Sequence, residues 1–170
     1  MGKGDEGGAY GRFDKCCAEI CEWENEMTKH EIMKQYVEGK VMELSNRLVS
    51  FNFADDSPDA ISFITNYSDK VVKKYIRAAD KAYGFTILIT WHFSTETDDL
   101  NLQAMNFAQE FMDWIDEQDR IGNFPDFGEK CRVKKIENLQ NMPNLASVDW
   151  ENMKAQYMMQ CRVLYFEKEI

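Results

Sequence analysis

The stretch YMMQCRVLYFE, from Tyr157 to Glu167, decides the fold class. One alternate set of its side chains is Tyr157, Met159, Cys161, Val163 and Tyr165; the other is Met158, Gln160, Arg162, Leu164 and Phe166. In a strand these sets point to opposite faces, and here both are largely apolar. Such a strand needs cover on two sides. A layer of helices covers one, which leaves solvent, more of the same chain or a partner for the other.

Working outward, the same strand pattern extends from about Lys154 to Lys168, after a loop read through NLQNMPNLAS and a strand from Lys130 to Asn138. Upstream, Leu100, Ala104, Phe107, Ala108, Phe111, Trp114 and Ile115 recur at helical spacing and end near Gly122 and Pro125. Acids between Ser94 and Asp99 favour a helix start there. Three strands are expected before that helix, over Ala60 to Tyr67, Val71 to Ala78 and Gly84 to Ser94. In the third, Phe85, Ile87, Ile89, Trp91 and Phe93 alternate with Thr86, Leu88, Thr90 and His92.

Thr28 followed by Glu31 reads as a capping box, which predicts a helix whose stripe Ile32, Tyr36, Val37, Val41, Leu44 and Leu48 runs to about Ser50. ADDSPDA, from Ala54 to Ala60, ends that unit. The order predicts an α+β domain over 28–170, with two amphipathic helices packed on a mainly antiparallel sheet. Residues 1–27 form an N-terminal extension: a glycine-rich flexible arm, then a short helix over Phe13 to Glu26.

At 170 residues, one domain is expected. A net charge of −10 argues against sequence-independent nucleic-acid binding, which depends on Lys and Arg displacing counterions, although an acidic wall can line a channel through which DNA passes. No run approaches a membrane span, so no membrane association is expected. Five cysteines without repeated spacing predict reduced thiols and a chain that folds in the cytoplasm.

Chemistry is sparse. His30 and His92 have no neighbouring Cys or acid at ligand spacing, and structural roles are expected for both. Cys17 and Cys21 could share a helix side, but no second pair completes a four-ligand set, so neither a metal nor another cofactor is expected. Cys131 and Cys161 read as small core residues. The acidic runs TETDD and DWIDEQD read as solvated helix surface. With no phosphate loop, dinucleotide fingerprint or nucleophile elbow, the chain is not expected to be an enzyme.

What stands out is apolar excess: the second strand face, the loop residues Met142, Leu145 and Trp150, and 10 methionines. A partner chain covering that face is favoured over Phe13, Ile20 and Trp23 folding back across it. A second copy of the chain is the commonest kind of partner.

The helix NFAQEFMDWIDEQDRIGNFP, the strand CRVKKIENLQNMPNLASVD and the closing AQYMMQCRVLYFEKE carry a further likeness. In this order, from about Thr28 onward, the chain resembles the tail terminator proteins of long-tailed phages and prophages. That group includes the minor capsid proteins of phages of Gram-positive bacteria. The resemblance lies in a helix with a Trp-Ile-acid run before a Gly/Pro turn, then a strand, a P-x-L loop and a last strand with an aromatic beside its terminal acid. Residues 1–27 lie outside the pattern.

The resemblance implies a virion structural protein, assembled in the bacterial host cytoplasm, that forms a ring of six on the last ring of the tail tube. It would stop tube polymerisation and offer the head-side connector a joining surface. Met142, Leu145, Trp150, Tyr165 and Phe166 are then the candidate contacts with neighbouring subunits or the tube, as large side chains suited to anchor an interface. Two other classes stay open: another neck, connector or tube component, and a small cytoplasmic enzyme or ligand-binding domain.

Overall fold

The computed structural model describes residues 27–96 and 99–168. The expected arm and the helix over Phe13 to Glu26 lie outside these residues. The chain is α+β, with two helices packed on a mostly antiparallel mixed sheet of six strands.

Helix α1 (Lys29–Ser45) begins where the capping box places it. The Thr28 hydroxyl accepts from the Glu31 N–H at 3.3 Å, and the Glu31 carboxylate accepts from the Thr28 N–H at 2.7 Å. The helix stops short of the expected Ser50, because Asn46 takes the left-handed conformation and its N–H closes on the Met42 carbonyl at 2.8 Å. Leu48 is consequently 73% exposed rather than part of the buried stripe. Met33, Val37 and Val41 form that stripe, with Ile32, Tyr36 and Leu44 at its margins.

After α1 a short strand, β1 (Val49–Phe51), pairs parallel with β2 (Ile61–Tyr75). The two strands expected over Ala60 to Tyr67 and Val71 to Ala78 are one strand. Ser68 and Asp69, in the gap between the two expected strands, are a bulge: Asp69 has φ 55° while pairing resumes at Lys70. The reversal comes at Ile76 and Arg77, where Arg77 supplies φ 61°, and β3 (Ala78–His92) returns antiparallel.

Helix α2 (Asp99–Ile121) follows and ends at Gly122, whose φ of 70° suits glycine. Strands β4 (Cys131–Asn138), β5 (Asn144–Asp149) and β6 (Lys154–Lys168) complete the sheet. The loop read through NLQNMPNLAS is shorter than expected, since Asn144 already belongs to β5. Both β4 and β5 lie antiparallel along one edge of β6, β4 opposite Cys161–Glu167 and β5 opposite Lys154–Met158. They act as one edge strand interrupted by residues 139–143.

The order is β1-β2-β3-β6-β4, with β3 and β6 paired over their full lengths from Ala78↔Lys168 to His92↔Lys154. That register places Tyr83, Phe85, Ile87 and Ile89 on the same face as Tyr165, Val163, Cys161 and Met159. All eight are buried against α1 and α2. Stacked rings of Phe51, Phe63 and Phe85, with centroids 5.2 and 5.0 Å apart, continue the core toward β1. Fully burying side chains of this size contributes about 1.5–3 kcal/mol each.

Candidate assembly surfaces

The second face of β6 is sealed in part by the chain itself. At one end the loop 54–59 lies across it. The Asp55 N–H donates to the Ser62 hydroxyl at 3.1 Å, the Thr90 hydroxyl donates to the Asp55 carbonyl at 3.1 Å, and Gln156 donates to the Asp56 carboxylate at 3.2 Å. In the middle, the Tyr67 ring lies over Gly84, so close that a Cβ on Gly84 would meet it at 2.4 Å. Asn66 bonds the Thr86 hydroxyl beside it at 2.9 Å. Further along, Arg162 pairs with Glu137, and Lys134 pairs with Asp80 while lying over the Phe166 ring. Leu88, Met158, Leu164 and Phe166 stay partly exposed on this face.

The five candidate contact residues do not gather into one surface. Met142, Leu145 and Trp150 are 59, 56 and 67% exposed at the β5 end, where Trp150 meets Phe93 edge-on with centroids 5.1 Å apart. Phe166 lies at the other end of β6, twelve residues beyond Lys154, about 40 Å of strand away. Tyr165 is fully buried beneath the helices. It is withdrawn as an interface residue, since strand alternation turns it inward when Phe166 faces out.

Tyr165 belongs instead to a polar cluster at the N-terminus of α1. Its hydroxyl donates to Asp69 at 2.9 Å, and Lys29 lies 4.7 Å from its ring centroid. Lys29 pairs with Asp69 at 2.5 Å and with Glu167 at 3.1 Å, and Lys81 reaches Glu167 at 2.9 Å. Burial opposes the charge on Asp69, but bonds from Lys29, Ser68 and Tyr165 outweigh it and hold the carboxyl down at about 2. Burial likewise opposes the charge on Lys29, and its two carboxylate partners reverse that and raise its pKa. The cluster staples α1 across the bulge of β2 to the end of β6.

Both histidines have structural partners. His30 Nδ1 is 2.9 Å from the Tyr83 hydroxyl, which is itself 2.9 Å from Thr65 Oγ1. His92 Nδ1 lies 3.3 Å from the Met153 carbonyl. Burial pushes the Cys161 and Cys131 thiols up, away from the reactive thiolate. Among the described residues, no group of three or more His, Cys, Asp or Glu could hold a metal ion. None of the described helices is long and apolar enough to cross a membrane.

A surface that the sequence reading missed is the tip of the β2–β3 hairpin. Val71, Val72 and Tyr75 are 43, 57 and 43% exposed, and Ile76 is 96% exposed. The signal was present in KVVKKYIR, where adjacent apolar residues break the alternation expected of a half-buried strand. Neither protein-family models nor curated proteins provide a match to this chain.

Proposed function

We propose that the chain is a structural tail terminator of a long-tailed phage or prophage, a ring-forming protein that caps the tail tube and joins it to the head-side connector. The observation that carries this reading is the placement of exposed large apolar side chains at both ends of the long sheet. Val72 and Ile76 lie at the hairpin end, and Met142, Leu145 and Trp150 at the β5 end. One subunit with two separate sticky ends suits head-to-tail contacts, which close into a ring when the rotation between copies allows. The α+β architecture supports the same family likeness, and the acidic balance of the chain suits a channel that DNA crosses without being held.

The test is imaging of the purified protein at high concentration by negative stain, with mass photometry on the same sample. Closed rings of fixed copy number, six in this reading, are the expected result. Addition to growing tail tubes should then halt their elongation. Open filaments formed by the chain alone would instead make it a tube subunit.

A further inference from the structure

The solvent side of the helical layer holds a shallow groove whose charge is opposite to that of the hairpin tip. Its volume is about 470 Å³, and Lys40, Leu44, Glu110, Asp113, Trp114 and Glu117 line it. Leu44 and Trp114 provide a half-buried apolar floor, and Glu110 and Asp113 are exposed. Trp114 is held by rings on two sides, with Tyr36 and Phe111 centroids 5.2 and 5.4 Å away. The acids beside it are Glu110, Asp113 and Glu117, while Lys40 is paired with Glu43 and Arg120 with Glu117.

The hairpin has the opposite character. From Lys70 to Arg77 the sequence KVVKKYIR contains four bases and no acid, in a chain of net charge −10. Ile76 projects from the turn between Lys74 and Arg77, whose side chains have no ion-pair or hydrogen-bond partner among the described residues.

The hairpin cannot fill its own groove. Leu44 also lines a cleft with Trp91, at the far end of β3. Trp91 lies thirteen residues from Ala78, beside the turn, or about 40 Å of strand. A rigid paired ribbon of that length keeps tip and groove apart within one chain.

We propose that the hairpin tip of one copy docks in the α1–α2 groove of the next. Ile76 sits over Leu44 and Trp114 while Lys74 and Arg77 face Glu110 and Asp113. This rests on the ring reading above and deepens it by seating the hairpin end on the helical groove, which leaves the β5 end for the tube or the connector. The contact is heterologous, so each copy keeps one free tip and one free groove until the ring closes.

Charge reversal tests it in the full-length protein. Lys74→Glu with Arg77→Glu reverses the tip, and Glu110→Lys with Asp113→Lys reverses the groove. All four positions are exposed, so circular dichroism and melting temperature should match the parent. Each variant alone should weaken self-assembly by about tenfold or more, since like charges then meet across the contact. Mixing the two variants should restore assembly, because each reversed tip meets a reversed groove and each native tip a native groove. Raising the salt concentration should weaken the parent assembly.

Rings that persist in both variants would overturn this contact and leave the ring reading standing. Loss of assembly without rescue on mixing would also overturn it, by showing that tip or groove meets some other surface. A parent chain that never self-associates would overturn the contact and the ring reading together.

Discussion

The two halves of the β2–β3 ladder are built by different means. Under the helices, from Ile61 to Thr65 opposite Ile89 to Phe85, pairing is regular and every inward side chain is large and buried, apart from the half-buried Thr65. Beyond Thr65 the same two strands shift register three times, between Thr65 and Tyr67, Tyr67 and Lys70, and Val71 and Lys73. There β3 turns to the small residues Ala78, Ala79 and Ala82, and ion pairs replace the ring stack. Burial penalises any slip that would turn apolar side chains to water. Where there is little to bury, register is set by local turns and charges, and bulges become tolerable.

Substitutions on either side should separate the two regimes. Phe85→Ala removes a fully buried ring stacked on Phe63, and a loss of about 3–5 kcal/mol in urea unfolding is expected. A loss under 1 kcal/mol would mean that the helix-covered half is not the stable half. Gly84→Ala strikes the boundary, where the new methyl displaces the Tyr67 ring. It should cost about 1–2 kcal/mol, and nearly nothing in a Tyr67→Ser background. Equal costs in both backgrounds would show that Tyr67 is not what limits the site.

The ionic staple should give a smaller and pH-dependent effect. The Asp69 carboxyl is depressed from 3.8 to about 2 by its partners. Its contribution is therefore present above pH 3.8 and lost as pH falls through about 2. Melting temperatures of the parent and Asp69→Asn should differ near neutrality and converge as the solution is acidified across that window. A gap that stays constant to pH 2 would assign the effect to packing. Smallest of all, Val72→Ser on the exposed outer half should change stability by less than about 0.5 kcal/mol. A larger loss in the isolated monomer would show hidden packing at the tip.

The same contrast explains what was legible in the sequence. Strands β3 and β6 and helix α2 were visible because burial imposes a period on them, and Thr28 with Glu31 marked the start of α1 through a local hydrogen-bond pattern. The outer half of β2 was split in two because Ser68 and Asp69 carry turn chemistry yet form a bulge. The true turn, Ile76–Arg77, contains none of the usual turn residues. Leu48 kept the helical spacing after Asn46 had ended the helix. Of the candidate contacts, Met142, Leu145 and Trp150 proved exposed. Tyr165 was misassigned although its alternate set already grouped it with the core residues Val163 and Cys161. The groove over Trp114 combines α1 and α2, so no local pattern could reveal it.

The pairing of β3 with β6 also sets a timetable for synthesis. Its partners closest in sequence, His92 and Lys154, are separated by roughly 60 residues, which take about 3–12 s to translate. Through that interval the nascent β2–β3 hairpin carries an unsatisfied row of amides and carbonyls along its most apolar strand. The ribosome-bound chain therefore passes through a stage exposed to premature association, and chaperone capture at that stage would raise the yield of native protein.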